Sequence, residues 1–124
     1  MNTSTITTHA YTARLDIHEI VRQLNMHLGP TLVAALSGTK DWKMPIRWAK
    51  SDGPTPGATF NRRLQLAHRL WTSISALDGD DVARSWFIGG NPLLEDDTPV
   101  TAIREDRDRD VAAAEAFLNH QPTS

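Results

Sequence analysis

Apolar residues recur at intervals of three and four along most of this chain, which is the spacing of one face of an α-helix. The first such run follows Asp16, a residue suited to cap a helix, and it stops at Gly29-Pro30, a pair that ends helices. We therefore expect a first helix after Asp16, with its apolar face formed by Ile17, Ile20, Val21, Leu24 and Leu28.

Two short helices are predicted next. Residues 30–36 open with proline, which suits a first helical turn, and Gly38 is placed to end this second helix. Asp41 can cap a third helix that reaches Lys50, because Pro45 would fall in its first turns, where backbone donors have few internal partners. A loop rich in proline and glycine follows.

Three further helices complete the pattern. A long fourth helix is expected from near Asn61 to just before Asp78, and a fifth is expected to end at Gly89-Gly90. The stretch 91–102 is punctuated by prolines and is expected to hold one short turn of helix. A terminal helix is expected to carry acidic residues in its first turn, where the helix dipole favours them: Asp106, Asp108 and Asp110. No alternating pattern typical of strands is present, so the predicted fold class is all-α.

Composition narrows the protein class. The chain has 124 residues, 40% of them apolar and 23% charged, which predicts one folded domain. The absence of cysteine excludes disulfides and thiolate metal sites. Because no apolar run approaches the roughly 20 residues that span a bilayer, and the N-terminus lacks a secretory-signal pattern, we expect a cytoplasmic protein with no membrane partner.

Charge is distributed unevenly along the chain. The net charge is −2, yet residues 40–69 hold seven basic residues against two acidic ones, and residues 78–115 hold eleven acidic residues against four basic ones. This pattern predicts two surfaces of opposite sign that serve two different partners. The alternative is that helix surfaces differ in charge without functional meaning.

The short second helix, the turn at Gly38 and the third helix have the outline of a helix-turn-helix unit, whose second helix enters the major groove of DNA. Basic residues on and after this third helix could reach guanine edges or phosphates. The predicted DNA-binding residues are Lys40, Lys43, Arg47, Lys50, Arg62 and Arg63. The alternative is a solvated basic helix face without a nucleic-acid partner.

Three segments carry a resemblance to a known family: IRWAKS after the turn, NRRLQLAHRLWTSI in the fourth helix, and ARSWFIGGNPLLEDDTPVTAI beyond it. Over roughly residues 30–118 the chain resembles the Xre/MbcA/ParS-like antitoxins, in which an Xre-like helix-turn-helix precedes a small toxin-binding region. The positions that match the family pattern are Trp86, Asn91, Pro92, Leu94, Pro99 and Ile103. The chain departs from it before the last helix, where the family commonly has glycine and this sequence reads EDRDRDV.

The resemblance implies an antitoxin that binds a RES-domain, NAD-consuming toxin and represses its own operon. It also implies homo-oligomers or hetero-oligomers with the toxin. On this interpretation residues 1–14 form a flexible arm, 15–77 the DNA-binding region and 78–124 the toxin-binding region. The expected toxin-binding residues are Trp86, Phe87, Ile88, Asn91, Pro92, Leu93, Leu94 and Pro99.

Alternatives to this interpretation remain open. Trp86 and Phe87 are equally suited to a place in the core, because tryptophan is highly buried on average. The chain could also be a stand-alone helix-turn-helix regulator without a toxin, or a structural adaptor that binds no DNA.

No pattern predicts catalysis. The five histidines lack metal-ligand spacing, and Asp106-x-Asp108-x-Asp110 imitates a calcium loop only at its start, since Val111 and Phe117 occupy the glycine and glutamate positions. Gly89-Gly90 is not followed by the lysine of a phosphate-binding loop. We therefore expect no catalytic residues, no metal and no cofactor.

Overall fold

The structure, a computed structural model, describes Thr12 and residues 15–119. Every regular element within these residues is a helix, which confirms the all-α prediction. In chain order the elements are α1 (Ile17–Leu28), α2 (Pro30–Ser37), α3 (Met44–Trp48), α4 (Ala58–Asp78), α5 (Asp80–Ile88), a 3-10 helix (Pro92–Leu94), α6 (Pro99–Arg104) and α7 (Asp108–Asn119). The arm predicted for residues 1–14 lies outside the described residues except for Thr12, as does the tail 120–124.

The predicted ends of α1 and α2 agree with the structure. The Asp16 carboxylate accepts a hydrogen bond from the backbone N–H of His18 at 2.8 Å and so caps α1. Gly38 ends α2 with a left-handed backbone at φ 84°, where a β-carbon would lie 2.5 Å from Nη1 of Arg63. Glycine therefore suits the backbone conformation of this turn, and a β-carbon here would displace the guanidinium of Arg63.

The third helix is shorter than predicted. Only five residues, Met44–Trp48, are helical, so Lys43 lies before the helix and Lys50 after it. At its start the Asp41 carboxylate accepts from the backbone N–H of Lys43 at 3.0 Å, which builds a turn instead of a further helical turn. The prediction of a helix that reaches Lys50 is therefore wrong, although the backbone N–H of Arg47 still bonds the carbonyl of Lys43 at 3.3 Å, which keeps these two cations one helical turn apart.

The stretch 91–102 holds more structure than predicted. The Thr98 hydroxyl accepts from the backbone N–H of Thr101 at 3.1 Å and caps α6, with Pro99 in its first turn. Asp106 lies outside the terminal helix, contrary to the prediction, because its backbone is left-handed at φ 60° and α7 begins only at Asp108.

The long helix α4 organises the packing and lies against α1, α2, α5, α6 and α7. Its inward residues are fully or almost fully buried, and α2 packs directly on α6. Residues 15–77 and 78–119 therefore share one hydrophobic core. The buried residues of α4 in this core are Leu64, Leu66, Ala67, Leu70, Trp71 and Ile74.

A buried histidine in α4 ties three parts of the chain together. His68 is 1% exposed, its Nδ1 lies 2.8 Å from the Thr12 hydroxyl, and its Nε2 lies 2.7 Å from Oε1 of Gln23. Since the amide oxygen of Gln23 only accepts, Nε2 carries the proton and Nδ1 accepts from Thr12. Burial lowers the pKa of His68 to about 4, with a further decrease from His27, and the imidazole is neutral near pH 7.

Candidate DNA and protein interfaces

The helix α3 is held firmly on its inner side. Trp48 is almost fully buried, and its carbonyl accepts a hydrogen bond from Nδ1 of His18 at 2.8 Å. The carbonyl of Pro45 accepts from the side-chain amide of Asn25 at 2.9 Å. Because both donors belong to α1, the orientation of α3 is set by packing and by two hydrogen bonds, and its outer surface is presented rigidly to solvent.

Four cations lie in α3 or within four residues of it in the sequence, and none of them forms an ion pair within residues 15–119. All four are exposed, and Lys43 Nζ lies 5.7 Å from the ring centroid of Trp42, which is itself 65% exposed. The positive charge of a cation without a carboxylate partner is not neutralised within the chain, so it can attract an external anion. We call this set the α3 cations: Lys40, Lys43, Arg47 and Lys50.

Arg62 and Arg63, also predicted to bind DNA, are placed differently. Arg63 binds Asp106 with two hydrogen bonds of 3.0 Å from Nε and Nη2, and its Nη1 donates to the carbonyl of Ser37 at 2.8 Å. Arg62 Nη2 lies 2.7 Å from the same carboxylate. These contacts lower the pKa of Asp106, mainly through the hydrogen bonds of Arg63, and raise the pKa of Arg63.

These contacts change the role expected for Arg63. Its side chain is 15% exposed and links α4, the end of α2 and the turn before α7, so it is a structural residue and not a free phosphate ligand. The contact also joins the basic and acidic stretches of the chain. Two surfaces of opposite sign stay a prediction, and at this point Asp106 neutralises part of the basic stretch.

The segment expected to bind a toxin alternates between core and surface. Phe87 and Leu94 are fully buried and Pro99 is also buried, so these three side chains stabilise the fold and are not presented to a partner. Ile88 and Leu93 are 49% and 46% exposed. The remaining expected residues are an exposed proline, a half-buried indole and an amide that caps the 3-10 helix: Pro92, Trp86 and Asn91.

Aromatic side chains connect this segment to the core. The ring of His27 stacks on Trp71 with centroids 4.8 Å apart, Trp71 lies 6.2 Å from Phe87, and Phe87 meets Trp86 edge to face at 5.2 Å. Trp86 is therefore held in place by Phe87 although it lies at the surface.

A cleft beside Trp86 was not anticipated from sequence. It has a volume of about 430 Å³ and is lined by four residues of α5 and one of α7: Asp81, Val82, Ser85, Trp86 and Leu118. The α5 residues are spaced as one helical face, which is a signal readable in sequence. Only the tertiary structure shows that Leu118 lies beside this face and forms one side of a shallow, open cleft.

Neither the histidine and acidic side chains of the described residues nor the partly buried carboxylate of Glu115 forms a recognisable site. Within the described part of the chain, no three histidine or acidic side chains lie together as metal ligands would. Glu115 is partly buried against α4, and desolvation raises its pKa despite Ser73 and Arg69 nearby. None of the described helices is long and apolar enough to cross a membrane.

Comparisons of the chain with protein-family models, with characterised proteins and with solved structures find no significant match.

Proposed function

We propose that this protein is an antitoxin that binds and neutralises a cognate RES-domain toxin and represses its own operon by binding DNA. The observation that carries the proposal is the division of residues 86–94 into buried and exposed apolar side chains. Phe87 and Leu94 anchor the segment, while Ile88 and Leu93 are left exposed on a rigid support. Exposed apolar side chains on a fixed backbone are typical of protein interfaces, and this segment carries the antitoxin resemblance.

The DNA-binding part of the proposal rests on the α3 cations. They are exposed and lack ion-pair partners within the described residues, and they lie within or beside a short helix that follows a glycine turn. This arrangement suits phosphate and guanine contacts in a major groove. Arg63 and Arg62 are assigned to stability and not to DNA, since Asp106 binds both.

The decisive experiment is co-expression with the product of the adjacent open reading frame, followed by size-exclusion chromatography and a growth assay. We expect co-elution and rescue of growth. Independent elution without rescue would overturn the antitoxin proposal.

Two variants separate the two activities. Ile88→Asp with Leu93→Asp should abolish neutralisation and leave operator binding intact, because both side chains are exposed and their replacement does not disturb the core. Arg47→Glu should weaken operator binding and leave neutralisation intact. Arg109→Glu, an equal charge reversal on exposed α7, is the matched control and should change neither. Loss of both activities in any variant that still melts like the parent would contradict this assignment.

A second candidate is a stand-alone helix-turn-helix regulator, which the α3 cations favour independently of any toxin. It predicts specific operator binding without a toxin partner. Titration of DNA over a range of salt distinguishes it from a structural adaptor, because phosphate contacts make the affinity fall steeply with salt.

A further inference from the structure

The cleft between α5 and α7 is apolar at its centre. Val82 is 42% exposed, Leu118 packs partly on the core, and Phe117 beside it is 56% exposed. Trp86 forms one wall and is held by the fully buried ring of Phe87. The cleft is shallow and open to solvent, and its volume of about 430 Å³ leaves room for a large apolar side chain laid against Val82 and Trp86.

Trp86 also carries a polar atom with no partner. Its indole Nε1 is shielded from water and has no hydrogen-bond acceptor in the structure. Buried indole N–H groups almost always have an acceptor, so this one marks a contact that the free chain leaves unmade. Trp86 also lines the cleft, so a partner segment that displaces the lining residues would bring a backbone carbonyl to this N–H.

One carboxylate, that of Asp81, lines the cleft, and two more acidic residues are close to it in the sequence. These are Asp78 and Asp80, which lie within three residues of it on the junction between α4 and α5. All three are exposed, and none is in an ion pair within residues 15–119. Asp80 and Asp81 also stabilise the first turn of α5 through the helix dipole. Their carboxylates stay exposed in that position and can still pair with a cation of a partner.

We propose that this cleft docks a basic amphipathic segment of the partner protein. One large apolar side chain lies against Val82, Trp86 and Leu118, and neighbouring lysines or arginines pair with Asp81 and the two acidic residues close to it in the sequence. The identification of that partner as the toxin rests on the proposed function. The chemistry of the segment rests only on the apolar lining, the unpaired indole N–H and the three carboxylates.

The cleft is tested by nuclear magnetic resonance on the full ¹⁵N-labelled chain. The sequence contains four tryptophans, hence four indole N–H signals, and Trp86→Phe identifies the one in the cleft. The probes are two short amidated helical peptides with the same leucine pattern, one carrying arginine and the other glutamate beside the leucines. We expect the arginine peptide to shift the Trp86 signal saturably and to bind at least tenfold more tightly than the glutamate peptide.

Two variants test the two halves of the cleft. Val82→Lys should abolish binding of the arginine peptide, because it replaces an apolar wall with a like charge. Asp80→Asn with Asp81→Asn should remove most of the preference for arginine over glutamate. Asp52→Asn, an exposed aspartate in the loop after α3, is the matched control and should change neither. Equal binding of both peptides, or no shift of the Trp86 signal with either, would overturn the proposal.

The same variants keep this proposal separate from the antitoxin proposal. If the neighbouring gene product binds the parent chain and binds Val82→Lys equally well, the cleft is not the docking site although the antitoxin function stands. If the gene product does not bind the parent chain, the antitoxin proposal fails, and the peptide titration still decides whether the cleft takes a basic segment.

Discussion

Replacing Arg63 by methionine tests whether this arginine stabilises the fold or contacts DNA. Methionine keeps an unbranched apolar stem but removes three hydrogen bonds, two to the Asp106 carboxylate and one to the carbonyl of Ser37. The backbone of Ser37 lies in the last turn of α2, where helix carbonyls lack partners within the helix. Arg63→Met therefore removes the donor to the carbonyl of buried Ser37. It also leaves Asp106 with the more exposed Arg62 as its partner.

The magnitude follows from the exposure of each contact. A hydrogen bond from a charged donor to a shielded carbonyl contributes about 1.5–3 kcal/mol. The pair with Asp106, whose side chain is 37% exposed, is closer to a surface ion pair, for which we take about 0.5–1 kcal/mol. We expect Arg63→Met to lower the free energy of unfolding by roughly 2–4 kcal/mol, or the melting temperature by on the order of 10 °C.

Urea denaturation and operator titration of the same proteins provide the assay. Asp106→Asn is the companion variant, because asparagine tolerates the left-handed backbone at this position, removes the charge and exchanges one of the two accepting oxygens for an N–H donor. It should cost about 1 kcal/mol. Arg47→Gln is the contrasting variant, exposed and without an ion pair, and should weaken operator binding without changing stability. An unchanged melting temperature in Arg63→Met, together with weakened operator binding, would refute the structural role.

Three further predictions concern stability. The pKa of His68 is lowered to about 4 in the folded chain, so the neutral imidazole stabilises the fold fully above the unfolded pKa near 6.5. This stabilisation is lost as the pH falls towards 4, and the loss in the free energy of unfolding should reach about 3 kcal/mol. The free energy of unfolding of His68→Gln, measured from pH 7 to 4, should lack this component, and parallel curves would contradict it. Gly38→Ala should destabilise by more than about 1 kcal/mol, because the new β-carbon strains a left-handed turn and displaces Arg63; equal melting curves would exclude that clash. Leu94→Asp should unfold the chain while Leu93→Asp leaves its circular dichroism unchanged, since only Leu94 is buried.

The sequence by itself determined the helices whose signals are local. The spacing of apolar residues predicted α1 and the core face of α4, and Asp16 and Gly38 marked helix ends, because periodicity and capping depend on residues within four positions of one another. α3 was predicted too long, since the side-chain turn at Asp41 competes with a helical start in a way that propensity alone does not resolve.

Only the tertiary structure decided which predicted site residues are available. Arg47 and Arg63 are equivalent in sequence, yet Arg63 meets Asp106, 43 residues away, and Arg47 meets no acid among the described residues. In the same way, Leu93 is exposed and its neighbour Leu94 is buried, because the 3-10 helix directs Leu94 towards α7 and the core. The cleft beside Trp86 forms only where α5 meets the end of α7. These outcomes depend on contacts between residues distant in the chain, which no local pattern encodes.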